Sequence, residues 1–126
     1  MVPGDRILVV EDDEDIREVM QEMLASEGFC VDVAGDGIDA LGKLAVEAEP
    51  PLIILDMMMP RMDGETFLEV LRGTPALADA AVIVISGNAI KREKGGDFQA
   101  VASLVKPFEL DELLGLIRGL ERRGNH

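Results

Sequence analysis

The chain has 126 residues, of which 48% are hydrophobic and 29% charged, a composition typical of one globular domain. Its 25 acidic against 12 basic residues give a net charge of −13, which argues against direct binding to nucleic acid or to an anionic membrane. The longest apolar run, 80–85, is too short to cross a bilayer, and the single cysteine, Cys30, cannot form an internal disulfide. We therefore expect a cytoplasmic protein in which Cys30 is a buried structural thiol.

The first half of the chain predicts strands that alternate with helices. Residues 7–10 form a short β-branched run without alternation, typical of a strand buried on both faces. A first helix follows and ends at Gly28, and its apolar residues lie at helical spacing: Ile16, Val19, Met20, Met23 and Leu24. The same patterns then predict a strand at 29–34, a helix at 38–48 and a strand at 52–55.

The second half continues the alternation with a helix near 67–71, a strand at 80–85, a strand at 103–105 and a last helix that begins at Leu110 and ends near Gly124. Segment 88–101, after the fourth strand, contains Gly95 and Gly96, and each glycine costs about 1 kcal/mol inside a helix. We expect this fourth helix to be short or irregular. The alternation as a whole predicts an α/β fold, with a doubly wound parallel sheet covered by helices on both faces.

Polar residues follow the predicted strands directly: Glu11, Asp12, Asp56, Ser86 and Lys106. Single residues of this kind usually form turns, but ligands of an open parallel sheet bind beyond the carboxyl ends of its strands. Three carboxylates about 4 Å apart would repel each other by roughly 4 kcal/mol per pair at an effective dielectric near 20. A divalent cation would offset that repulsion. Ligands that are all oxygen favour Mg²⁺, with Mn²⁺ as the alternative.

The sequence around these strand ends resembles the receiver domain of bacterial two-component response regulators, the CheY-like family. The resemblance spans about residues 5–121 and rests on four motifs, which are ILVVEDD at 7–13, DMMMPRMDG at 56–64, VISG at 84–87 and VKPF at 105–108. It implies a flavodoxin-like (βα)5 fold with five parallel strands in the order 2-1-3-4-5. It also implies signalling through phosphorylation of an aspartate.

The resemblance assigns roles to the acidic residues. Asp56 is implied as the phosphoacceptor, a carboxylate nucleophile that forms an aspartyl-phosphate. Mg²⁺ would be held by Asp12, Asp56 and the main-chain carbonyl of Met58, with Glu11 acting largely through water. No organic cofactor is expected. Asp13, the next residue of the acidic run, is interpreted as a turn or helix-start residue.

The resemblance also implies a switch around the phosphoryl group. Lys106 would pair with the phosphoryl oxygens, and Ser86 would donate a hydrogen bond to one of them as its loop moves inward. Gly87 would leave room for a phosphodonor. The Lys106–Pro107 peptide bond is expected to be cis.

Three positions set this chain apart or modulate its chemistry. Ser103 stands where most receivers carry a Tyr or Phe that moves with the switch hydroxyl, so the usual coupling cannot operate. Met58 cannot hydrogen-bond a water that attacks the aspartyl-phosphate, whereas Asn88 can. A hydrophobic residue at Met58 should therefore slow hydrolysis of the aspartyl-phosphate.

The predicted function is that of a stand-alone receiver rather than an enzyme. It would be phosphorylated by a sensor histidine kinase or a phosphotransfer protein and would then act on an unidentified downstream protein. Only self-phosphorylation from small donors and slow autodephosphorylation are expected as activities. One domain would span 1–126, with its core at 5–121 and a flexible tail at 122–126.

Three alternatives remain. The chain could be a pseudo-receiver adaptor that acts without phosphorylation. It could be a haloacid-dehalogenase-like phosphatase, although such enzymes need a second Asp where Met58 stands. A DNA-binding regulator is favoured only if the chain is a fragment.

Overall fold

Five parallel strands form one sheet in the computed structural model of the chain, which describes residues 6–46, 51–56, 64–78, 80–86, 102–105 and 109–124. The strands are β1 (Arg6–Val10), β2 (Cys30–Ala34), β3 (Leu52–Asp56), β4 (Val82–Ser86) and β5 (Ala102–Val105). Their order is β2-β1-β3-β4-β5. The predicted flavodoxin-like topology is therefore confirmed.

The helices are α1 (Glu14–Ser26), α2 (Gly37–Leu44), α3 (Gly64–Gly73) and α4 (Leu110–Gly124), with a short 3₁₀ helix at Pro75–Leu77. The short or irregular helix expected at 88–101 lies outside the described residues. Helix α4 ends at Gly124, as the sequence predicts, and it includes three residues of the segment 122–126 that was predicted as a tail. The flexibility of that tail stays a prediction.

The sheet separates two layers of hydrophobic core. On one face, α2 and α3 pack with Leu8, Val10, Ile53 and Leu55. On the other, α1 and α4 pack with the residues that alternate with these, Ile7, Val9, Leu52 and Ile54. Successive strand residues point to opposite faces, so β1 and β3 need apolar side chains at every position, and their continuous runs meet that need. This buried pair of strands forms the rigid base of the site described below.

The predicted apolar stripe of α1 is only partly correct. Met20 and Leu24 are buried, but Ile16 is 40% exposed and Val19 is 52% exposed. Successive helical residues are about 100° apart around the axis, so Val19 points well away from Met20. The sheet covers an arc of α1 narrower than the apolar stripe, and that leaves Ile16 and Val19 at the surface.

Cys30 is exposed, so the expectation of a buried thiol is wrong. It begins β2, the outer strand of the sheet on that side, whose residues alternate between more and less exposed positions. An outer strand has a neighbour on one side only, so its first residue receives little cover. Within the described residues, no helix is both long and apolar enough to cross a membrane.

Candidate metal centre

The register between β1 and β3 places the acidic residues together. Val10 pairs with Leu55, so Glu11 and Asp56, the residues that follow them, emerge next to each other at the carboxyl edge of the sheet. Carboxylate oxygens of Glu11, Asp12 and Asp56 all lie within 4.8 Å of one another. The structure thus brings together the three carboxylates that the sequence singled out.

Burial makes these carboxylates unequal. Glu11 is 3% exposed and Asp56 is 5% exposed, whereas Asp12 faces solvent. Buried carboxylates are costly to ionise unless a cation or hydrogen-bond donors compensate them, and close neighbours of the same charge add to that cost. A set of oxygen ligands with this spacing suits a hard divalent cation such as Mg²⁺. The exposed position of Asp12 leaves one side of the cluster open to solvent.

Asp13 has a different role from the acids before it. Its Oδ1 atom accepts hydrogen bonds from the backbone N–H of Asp15 at 2.9 Å and of Ile16 at 3.1 Å. These contacts make Asp13 the N-cap of α1, because they satisfy donors that have no partner within the helix. The interpretation of Asp13 as a helix-start residue is confirmed.

Arg17 was not among the predicted site residues, yet it contacts the loop that carries the cluster. Its Nη1 atom donates a hydrogen bond to the main-chain carbonyl of Glu11 at 3.0 Å. A basic residue in the second turn of a helix that starts with acids is a weak signal by itself. Only the folded loop shows that the guanidinium reaches back six positions.

Other predicted site residues are placed only in part. Ser86 ends β4 and pairs in register with Val105, which puts its backbone at the same edge as Asp56. Ser103 lies on β5 opposite Val84. Five more lie outside the described residues, so the metal, phosphoryl, switch and cis-peptide assignments that involve them stay predictions: Met58, Gly87, Asn88, Lys106 and Pro107.

Comparison with known families agrees with this geometry. The family described as the response regulator receiver domain matches residues 7–118. This chain belongs to that family. It is a receiver domain of two-component signalling. Receiver domains are signalling domains rather than classical enzymes. Sensor histidine kinases phosphorylate them, and they bind Mg²⁺ at an acidic pocket of the kind that this chain has.

Curated relatives of this receiver are longer than the chain. Response regulator MprA of Mycobacterium tuberculosis (strain ATCC 25618 / H37Rv) is 41% identical over 118 residues, which is 94% of this chain and 51% of MprA. MprA of Mycobacterium avium (strain 104) is 40% identical over the same shares. The chain therefore spans about half the length of the curated relatives it matches.

Solved structures of receivers resemble this one along most of the chain. The receiver domain of the Francisella response regulator 1452 is 30% identical with a TM-score of 0.83, covering 95% of this chain and 98% of that one. Response regulator TrrA of Thermotoga maritima, solved in complex with Mg²⁺ and BeF, is 34% identical with a TM-score of 0.80, covering 91% and 97%. Chemotaxis protein CheY4 of Vibrio cholerae is 28% identical with a TM-score of 0.81, covering 90% and 96%.

Proposed function

We propose that this receiver accepts a phosphoryl group on Asp56 from a sensor histidine kinase or a phosphotransfer protein, in a reaction that depends on Mg²⁺. The convergence of the Glu11, Asp12 and Asp56 carboxylates within 4.8 Å carries the proposal. The resemblance of the chain to TrrA, which was solved with Mg²⁺ and BeF, supports it.

Asp56 supplies the nucleophile. One of its carboxylate oxygens attacks the phosphorus atom, a new O–P bond forms, and the bond between phosphorus and the donor breaks with its electron pair leaving on the donor. Asp56 ends a strand whose residues are all buried, so its backbone is held rigidly and little reorganisation is needed before attack.

Glu11 and Asp12 complete the acidic site. Asp12, Asp56 and the main-chain carbonyl of Met58 would hold Mg²⁺, and Glu11 would orient the water around the ion. When bound, Mg²⁺ supplies positive charge that offsets repulsion between these carboxylates and the transferring phosphoryl oxygens. Lys106 would pair with the same oxygens, and Ser86 would donate a hydrogen bond to one of them.

The phosphorylated receiver would act through contact with a downstream protein. We propose that residues 1–126 form a single receiver domain, which transmits the signal by changing its affinity for that partner. The curated relatives, about twice as long, leave room for the alternative that this receiver works within a longer regulator.

Mass spectrometry of the intact protein tests the phosphoacceptor. We expect incubation with acetyl phosphate and Mg²⁺ to add one phosphoryl group, which hydroxylamine removes because the bond is an acyl phosphate. Asp56→Asn and chelation of Mg²⁺ should each abolish the adduct. Asp32→Asn makes the same chemical change at an exposed position of β2, outside the cluster, and should be phosphorylated normally. An adduct that persists in Asp56→Asn would refute the assignment, and no adduct from acetyl phosphate or candidate kinases would favour the adaptor alternative.

A further inference from the structure

Arg17 contacts the loop between β1 and α1 through its side chain and its backbone. Its Nη1 atom donates to the carbonyl oxygen of Glu11 at 3.0 Å, and its backbone N–H donates to the carbonyl oxygen of Asp13 at 2.9 Å. Asp12 lies between these two contacts. The backbone bond is the first regular bond of α1, which any residue but proline would make at this position, so the contact specific to arginine is the side-chain bond to Glu11. That bond links α1 to the start of the segment that supplies two of the three clustered carboxylates.

Glu11 is held from several directions. Its backbone N–H donates to the carbonyl oxygen of Ala34 at 3.0 Å, and its Oε2 atom accepts from the backbone N–H of Asp13 at 3.2 Å. The bond from Arg17 adds a charged donor at the carbonyl oxygen of Glu11. Hydrogen bonds to charged groups are about twice as strong as neutral ones, so this contact contributes strongly to the orientation of the peptide.

The guanidinium of Arg17 also lies against the neighbouring loop. A Cβ atom added at Gly35, in the turn between β2 and α2, would come 3.4 Å from Nη1 of Arg17. Arg17 is half-buried, so its side chain follows a defined path between the two loops rather than extending into solvent. The distance of 3.4 Å corresponds to ordinary van der Waals contact, so the guanidinium lies directly beside the turn at Gly35.

We propose that Arg17 is a positioning residue for the metal site, which orients Glu11 and Asp12 so that their carboxylates converge with Asp56. This inference rests on the proposed Mg²⁺-dependent function. Charge alone would give the opposite effect, because a cation beside the cluster repels a second cation. The two roles therefore predict changes of opposite sign when Arg17 is removed.

Mg²⁺ binding to folded protein, measured by isothermal titration calorimetry, separates these roles. We expect Arg17→Ala to raise the dissociation constant for Mg²⁺ about tenfold or more, the range seen when a residue that orients metal ligands is lost. Arg17→Lys, which keeps the charge and a shorter donor, should recover part of the affinity. Arg118→Ala removes the same charge from the exposed surface of α4 and should bind Mg²⁺ like the unmodified protein.

The Mg²⁺ dependence of phosphorylation by acetyl phosphate gives a second measure. If Arg17 positions the metal ligands, Arg17→Ala should need a higher Mg²⁺ concentration to reach half of its maximal phosphorylation rate. At saturating Mg²⁺ its rate should approach that of the unmodified protein. Loss of stability alone would not move the half-maximal concentration under conditions where the variant is fully folded. Unchanged or tighter Mg²⁺ binding in Arg17→Ala would overturn the inference. Failure of the unmodified protein to bind Mg²⁺ would instead overturn the proposed function, and this inference with it.

Discussion

Val10 pairs with Leu55 across the parallel strands β1 and β3, and this contact brings the buried carboxylates of Glu11 and Asp56 to the same place. A register slip of one residue would turn every side chain of a strand to the other face of the sheet. Both strands are buried on each face, so such a slip would also disrupt both core layers. The packing of the hydrophobic core therefore holds the acidic cluster together against its own repulsion.

Replacing Asp12 by Asn should raise the free energy of unfolding in the absence of metal. It should also remove most of the further increase in that free energy that Mg²⁺ causes, which is the Mg²⁺ response of the protein. The change relieves repulsion with Glu11 and Asp56, which is about 1 kcal/mol for a pair 4 Å apart in a solvent-like dielectric. Urea denaturation in EDTA and in Mg²⁺ measures both effects. Asp13→Asn is the matched control, since Asn is an equally good N-cap, and it should retain the Mg²⁺ response. Equal loss of that response in the two variants would contradict the division of roles between these neighbours.

Replacing Arg72 by Ala should lower the free energy of unfolding by about 3 kcal/mol, the lower end of the range for two hydrogen bonds from a charged donor. Arg72, in the last turn of α3, donates from Nη1 to the carbonyl oxygens of Ala78 at 2.9 Å and Ala80 at 2.7 Å, which fixes the chain as it enters β4. Charged hydrogen bonds of this kind contribute about 1.5–3 kcal/mol each, and Ala80 is buried. Urea denaturation measures the loss.

Arg118→Ala is the control for Arg72. Its ion pair with Glu27 spans 3.6 Å between exposed side chains, and such pairs contribute about 0–1 kcal/mol. If the two arginine variants lose the same stability, the carbonyl contacts of Arg72 contribute less than the geometry indicates.

Replacing Met58 by Asn should shorten the lifetime of the aspartyl-phosphate. Met58 lies outside the described residues, and the prediction follows from its place two residues after Asp56. An amide side chain can hydrogen-bond a water that attacks the phosphorus atom, whereas a thioether cannot orient it. Decay of the phosphorylated mass at saturating Mg²⁺ measures the lifetime. In denaturant the aspartyl-phosphates of the unmodified protein and of Met58→Asn should decay at the same rate. Equal decay rates of the two folded proteins would count against the prediction.

The sequence predicted correctly the features that depend on neighbouring residues in the chain. Strand positions, most helices and the cap at Asp13 follow from short-range patterns of apolar residues and side-chain donors. The prediction failed for Ile16, Val19 and Cys30, where exposure depends on which surfaces other elements cover. The apolar period of α1 indicates a helix, but it does not say how wide an arc the sheet will bury. The sequence does not predict the contact of Arg17 with Glu11, because the acceptor is a main-chain oxygen, which every residue has.

The sequence by itself determined that this protein alternates strands with helices and ends its first and third strands in acids, because the hydrophobic period and the residues after each strand are local properties. Only the tertiary structure decided that Glu11 and Asp56 are buried while Asp12 faces solvent, that Arg17 holds the carbonyl of Glu11, and that Cys30 lies on an outer strand. The physical reason is that burial and register arise when distant segments pair. The adjacent acids Glu11, Asp12 and Asp13 therefore have three different surroundings, although their side chains are chemically almost the same.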